Sequence, residues 1–211
     1  MRDFIDTPLH RGKGVAVYGG TQMQDLETVK SWTKTFAQNG YHIVTGGGPG
    51  VMKAAQQGAV EGGSVAIGTG INWAQWNIKD GIQNENGFVK DYQRFVDGRT
   101  VTERFENPNG FYGAAACQLV FPGGFGTKAE MYRMVYDLMA NATRYPIQRK
   151  LVVADLDPEF TAWVKSQFTS DKSTYNAAQY LTFVKTPEEA LDVFKSTEIE
   201  KTRAVKNVWM A

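Results

Sequence analysis

A single cysteine, Cys117, stands in a chain of 211 residues. One thiol excludes an intramolecular disulfide and any cysteine-based metal site, and a chain that does without disulfides suits a reducing compartment. Histidine is nearly as scarce. His10 and His42 fit no metal-ligand spacing with acidic neighbours, and His42 lies in an apolar segment where a satisfied core histidine is expected, so no metal is implied. Long hydrophobic runs are missing too: no window reaches the roughly 18 apolar residues needed to span a bilayer. The opening Met1-Arg2-Asp3-Phe4 also lacks the apolar stretch of a secretory signal. A soluble, cytoplasmic protein without a membrane partner is the expectation.

Charge of one sign is lacking as well. The 23 Lys and Arg against 22 Asp and Glu leave a formal charge of +1 with no long basic run, so neither nucleic acid nor an anionic membrane is expected as a partner. Balanced charge points to a small molecule. Two nucleotide signatures are also missing: no Gly-x-Gly-x-x-Gly turn follows the first strand pattern, and no Gly-x-x-x-x-Gly-Lys-Ser/Thr occurs. These absences argue against an ordinary dinucleotide oxidoreductase and against a P-loop NTPase. Pyridoxal chemistry would need a Schiff-base lysine in a recognisable cofactor pocket, which is not visible.

What is present is a globular composition, 42% apolar and 21% charged, sufficient for a real core and suited to one domain over 1–211. From Val15 the chain alternates β-branched runs with helical stripes. Val15 to Tyr18 ends in Gly19-Gly20-Thr21, and Leu26, Val29 and Phe36 then trace a helix that stops at Asn39-Gly40. Tyr41 to Val44 runs into Gly46-Gly47-Gly48-Pro49-Gly50, and Val51 opens a second helix ending near Gly62-Gly63. Further strands are expected at Ser64–Ile67, Leu119–Phe121, Leu151–Ala154 and Leu181–Val184.

This alternation predicts an α/β fold: a single Rossmann-like, doubly wound, mostly parallel sheet with helices on both faces. All three glycine-rich turns follow strands, so they should gather at one edge of the sheet and line one crevice. The stretch from about 68 to 113 reads as an irregular insertion rich in aromatics, either a lid or a packing arm. Trp73 and Trp76 within it could stack on a base or simply pack. A tail of mixed charge runs from about 198 to 211.

The segment Pro122-Gly123-Gly124-Phe125-Gly126-Thr127-Lys128-Ala129-Glu130 carries the most chemistry. Its glycines let backbone N–H groups approach a ligand, and a helix starting at about Gly126 aims free amides and a positive dipole end at the same place. A phosphate would lie on Gly123, Gly124 and Gly126, with the Thr127 hydroxyl as a further donor. Glu130 has two readings: a carboxylate for a developing positive charge, or the far end of a Thr127-x-x-Glu130 capping box. Gly46, Gly47, Gly48 and Gly50 either cradle part of a nucleotide or let the second helix pack closely on the sheet. Gly19, Gly20 and Thr21 form the remaining turn, and Thr21 is either a ligand-side hydroxyl or a turn stabiliser. Lys53 and Lys128 read as solvated, with steering of an anion as the alternative. The stripe Met131, Met134, Val135, Leu138 and Met139 fits core or dimer packing.

The pair of turns, Thr45 to Ala55 and Pro122 to Glu130, with Val17-Tyr18-Gly19-Gly20 near the first strand, resembles the LONELY GUY family of cytokinin riboside 5'-monophosphate phosphoribohydrolases over about residues 14 to 155. The resemblance implies hydrolysis of the N-glycosidic bond of an AMP-type or N6-modified nucleotide to free base and ribose 5-phosphate, without a cofactor. It also implies Glu130 as a catalytic carboxylate and a homodimer whose second subunit borders the site. Two departures stand out. Family members carry an acid directly before this glutamate, where this chain has Ala129. The family's catalytic arginine, counted back from Pro122 without gaps, falls on Asn107; Arg104 fits with about three inserted residues, and Arg99 with more. Either arginine could instead form an ordinary surface ion pair. These departures support an alternative, a non-catalytic nucleotide or molybdenum-cofactor binding or carrier protein on the same fold. A scaffolding role for the tail from Glu198 to Ala211 has only its mixed charge and Trp209 behind it.

Overall fold

The computed structural model describes residues 13–64, 66–71, 91–95, 115, 117–140, 151–173 and 176–196. Its elements run β1 (Gly14–Tyr18), α1 (Leu26–Gln38), β2 (His42–Thr45), α2 (Val51–Glu61), β3 (Ala66–Ile71), β4 (Asp91–Phe95), β5 (Cys117–Val120), α3 (Phe125–Ala140), β6 (Leu151–Ala154), α4 (Pro158–Phe168) and β7 (Leu181–Val184). A last helix, α5, covers 187–196.

Among the described residues the strands form one sheet in the order β4-β3-β2-β1-β5-β6-β7. Every pairing is parallel. The chain therefore winds outward from β1 to β4, crosses back, and winds the other way from β5 to β7. That reversal puts a switch point between β1 and β5, whose register pairs Val15 with Cys117 and Tyr18 with Val120. At such a point the loops leaving two neighbouring strands diverge, which opens a crevice beyond the strands' carboxyl ends.

Strand alternation divides the core in two. Val15 and Val17 point to the face covered by α1, α2 and α5, where Val29, Trp32, Phe36, Ala55 and Phe194 are buried. Ala16 and Tyr18 point to the other face, under Met131, Met134 and Val135 of α3 and Phe160, Val164 and Phe168 of α4. With helices on both sides, all five residues of β1 are buried, which is why it reads as a continuous apolar run rather than an alternating one. Helix α1 starts where the Asp25 carboxylate accepts the Thr28 N–H at 3.0 Å, and it stops before Gly40, which takes φ +83°.

The stretch 68–113 departs from the expected irregular insertion in two places. Residues 68–71 complete β3, and Asp91–Phe95 pairs with it as β4, Ile67 opposite Asp91 through Ile71 opposite Phe95. Gly68 and Gly70 interrupt the β-branched pattern of the first segment, and Asp91-Tyr92-Gln93-Arg94-Phe95 has the polar composition of an edge strand, so neither gave an apolar signal. The third strand accordingly starts later than Ser64. The strand expected at Leu119–Phe121 begins at Cys117 instead.

His42 is the satisfied histidine its sequence context suggests. Its Nδ1 lies 3.0 Å from the Ser64 hydroxyl, which itself donates to the Tyr41 carbonyl at 2.7 Å. Partial burial, and secondarily the charge of Lys13, hold its pKa below the ordinary 6.5.

Candidate functional site

Three glycine turns meet at the switch point, tied together through one residue. Gly20 donates its N–H to the Pro122 carbonyl at 3.0 Å and accepts the Val51 N–H at 3.2 Å. The turn after β1 is thus bonded to the turn after β5 on one side and to the start of α2 on the other. Two glycines have no substitute in this arrangement. Gly50 takes φ +65°, and a Cβ there would lie 2.4 Å from the Thr21 Cα. A Cβ on Gly123 would lie 2.2 Å from the Thr127 hydroxyl oxygen and 2.7 Å from the Gly20 nitrogen.

The first helical hydrogen bond of α3 runs from the Lys128 N–H to the Gly124 carbonyl at 3.0 Å. Phe125, Gly126 and Thr127 therefore occupy the first turn, where N–H groups have no partner within the helix. Thr127 is inside the helix rather than at its cap, so the capping box with Glu130 is not formed. The Thr127 side chain is 4% exposed. Among the described residues nothing stands within 4 Å of a Cβ placed on Gly124 or Gly126, so on that side they leave the turn open to a visitor.

A cleft of about 240 Å³ lies over this turn. Of the residues singled out in the sequence, it brings together Gly19, Gly20, Thr21, Gly46, Gly124, Gly126, Thr127 and Glu130. Gly123 borders a second, wider hollow instead. Gly47, Gly48 and Gly50 line neither. Gly47 donates to the Thr45 hydroxyl at 2.9 Å, and Gly50 seats α2 against Thr21. Ala129 also borders neither cavity. Arg104, Arg99, Asn107, Trp73 and Trp76 lie outside the described residues.

Residues that sequence reasoning passed over complete the cleft. Val17 and Tyr18 form its buried floor, Met52 is half-buried, and Phe125 is 89% exposed at its border. The Tyr18 hydroxyl donates to the Gln118 side-chain oxygen at 2.8 Å, a buried bond across neighbouring strands.

The second hollow, about 810 Å³, spreads over the loops after β1, β5 and β6 and shares Gly20, Thr21 and Gly124 with the first. Its lining mixes Met23 and Leu156 with Asp25, Asp157 and Lys128. The two aspartates are helix caps: Asp157 accepts the N–H groups of Glu159 and Phe160, each at 2.9 Å, and Asp25 accepts from the Thr28 hydroxyl and N–H, which hold its carboxyl below the usual carboxylate value. The Lys128 ammonium sits 4.8 Å from the Trp163 ring centre, a cation–π contact rather than the purely solvated position expected. Among the described residues no group of three His, Cys, Asp or Glu side chains could hold a metal, and no helix is long and apolar enough to cross a membrane.

Residues 13–80 match the family model described as the SLOG cluster4 family. No curated protein matches the chain. Among solved structures, the molybdenum cofactor carrier protein of Chlamydomonas reinhardtii is 19% identical with a TM-score of 0.60, covering 87% of this chain and 96% of its own. The molybdenum cofactor binding protein of the phototrophic bacterium Rippkaea orientalis is 18% identical with a TM-score of 0.58, covering 87% and 94%. The structural-genomics target TM1055 is 18% identical with a TM-score of 0.61, covering 87% and 99%. At these identities the likeness is one of fold: the chain is a Rossmann-like α/β protein similar to molybdenum cofactor carriers, with an N-terminal third similar to the SLOG cluster4 family.

Proposed function

We propose that the cleft binds a nucleoside 5'-monophosphate by its phosphate and hydrolyses the N-glycosidic bond. The observation that carries this reading is that the open first turn of α3 and the Glu130 side chain border one cleft. Phosphate lies on the amides of Gly124, Gly126 and Thr127 with the Thr127 hydroxyl as an added donor, and Gly123 shapes the turn that presents them. Anchored there, the sugar is held so that remote binding energy orients C1'. The C1'–N bond breaks as positive charge builds on the ribose, and the Glu130 carboxylate stabilises that charge and positions the attacking water. Water oxygen bonds to C1', and its proton ends on the departing base. Arg104, or else Arg99, supplies the guanidinium. No cofactor takes part. The protein acts as one cytoplasmic domain, with the remainder of 68–113 bordering the base. Free-base release from AMP and N6-modified AMP, followed by chromatography for wild type and Glu130→Gln, tests the reading.

A second copy of the chain completes the molecule as a homodimer. Support comes from the exposed side chains of Tyr136 and Met139, which lie on one side of α3 while Met131, Met134 and Val135 are buried.

A non-catalytic carrier is the second reading, and the wider hollow favours it. About 810 Å³ next to the anion turn is more room than a mononucleotide needs, and it would suit the larger body of a phosphate-bearing cofactor such as the cargo of the two molybdenum cofactor proteins. Ala129, where an acid would stand, fits this reading as well. Tight binding of AMP without any base release, unchanged in Glu130→Ala, would favour the carrier.

A further inference from the structure

We propose that Phe125 is the aromatic platform on which the base of the bound nucleotide stacks, so that this residue makes the cleft prefer nucleotides over plain sugar phosphates. The proposal rests on the phosphate-anchor reading of the same turn. Phe125 is 89% exposed, the largest exposure of any big apolar side chain among the described residues; the next, Tyr136, reaches 54%. An isolated exposed apolar residue is ordinary on a protein surface. This one is set apart by its place: it is the first residue of α3, borders the cleft, and is adjacent in sequence to Gly126 and its open amide.

The other aromatic side chains on this helix already have partners. Tyr132 packs edge-on against Trp163 and Phe168 at ring-centre distances of 5.9 and 5.0 Å, and its hydroxyl bonds Gln167. The Arg133 guanidinium lies 5.9 Å from the Tyr136 ring centre. Phe125 makes no ring contact among the described residues. It lies two helical turns, about 10 Å, before Tyr132 on the same face of α3, and of that face it is the residue that borders the cleft.

The chemistry of the ligand supplies the missing partner. A nucleoside monophosphate separates phosphate from base by a single ribose, within the reach of a phenylalanine side chain that leaves the backbone beside the phosphate site. Of the described apolar side chains lining the cleft, Val17 and Tyr18 are buried in the sheet, and Phe125 and Met52 have surface to offer a base. Stacking is tolerant of base identity because every base presents a π-face. Phe125 therefore selects for a base over none, and leaves discrimination between bases to other residues.

Calorimetric titration with ribose 5-phosphate and with AMP tests the proposal, with all proteins in the Glu130→Gln background so that ligand is not consumed. Phe125→Ala should weaken AMP by about tenfold while ribose 5-phosphate stays within about twofold, and Phe125→Trp should restore the AMP preference. An unchanged ratio of AMP to ribose 5-phosphate affinity in Phe125→Ala overturns the proposal and leaves the phosphate anchor standing. So does a change in light-scattering mass on the alanine substitution, because the ring would then belong to an interface between copies. If the starting protein binds neither ligand, the phosphate anchor itself is wrong and the stacking role falls with it.

Discussion

Gly20 donates its backbone N–H to the Pro122 carbonyl at 3.0 Å, locking the turn after the first strand onto the turn after the fifth. Together with the bond from Val51 to the Gly20 carbonyl, it makes the crevice floor a single hydrogen-bonded unit in which distortion at one turn is felt at the others.

Gly50→Ala should therefore damage the fold before it damages any chemistry. The added methyl meets backbone, and φ +65° is costly for any side chain, so a loss of at least about 1–3 kcal/mol in urea unfolding is expected. Unchanged stability would mean that α2 does not seat on Thr21 this closely.

The anion turn offers a sharper contrast. Gly123→Ala puts a methyl onto Thr127 and the Gly20 nitrogen, and should cost about 1–3 kcal/mol of stability. Gly124→Ala meets nothing within 4 Å among the described residues, so its stability should stay within about 0.5 kcal/mol. Because the same methyl intrudes on the ligand side, AMP and inorganic phosphate should both bind more weakly. A Gly124→Ala protein with full affinity would remove the phosphate from this turn.

Thr127→Val keeps the shape of a buried side chain and deletes its hydroxyl. If that hydroxyl donates to a phosphate oxygen, ribose 5-phosphate affinity falls by about tenfold, as for a hydrogen bond to a charged group. Equal affinity in calorimetry would confine Thr127 to packing against Gly123.

How much of this was legible in the sequence depends on how far apart the interacting residues lie. Strands closed by glycine turns, and helices closed by Gly40 or Gly62, are local signals that β1, α1, β2 and α2 follow closely, while β6 and β7 were read from their short apolar runs. Strand β4 was hidden because an edge strand with a polar sequence carries no apolar alternation. The anion turn was readable from three glycines and a threonine in five positions, yet Phe125 was passed over, because the residue between the glycines says nothing of its exposure until the helix start is known. Tyr18 and Gln118 are 100 positions apart, and only the parallel pairing of β1 with β5 brings them together. The capping-box reading of Thr127 and Glu130 failed on helix phase: the helix begins two residues before the expected cap.

His42 gives the fold a pH dependence that is separate from the site. Its folded pKa is depressed below 6.5, chiefly by burial, so the neutral ring is the favoured form and its contribution is fully present above about pH 6.5. As pH falls from there through the folded value, the unfolded chain takes up the proton more readily and stability declines. Chemical unfolding at pH 7.5 and pH 5.5 should show this decline in wild type and a smaller one in His42→Gln. Equal declines would assign the effect to other groups.

The exposed face of α3 predicts the assembly. Tyr136→Glu should convert a dimer into a monomer by light scattering without changing the unfolding midpoint of the isolated subunit, since the side chain is more than half exposed. A wild-type protein that runs as a monomer at all concentrations would refute the homodimer.

Release of free adenine from AMP, compared between wild type and Glu130→Gln, decides between hydrolysis at this cleft and simple binding. Wild type is expected to release adenine and Glu130→Gln to do so about a hundredfold or more slowly, with AMP affinity retained because the phosphate anchor is untouched. AMP bound tightly by both proteins, with no base released by either, would contradict hydrolysis.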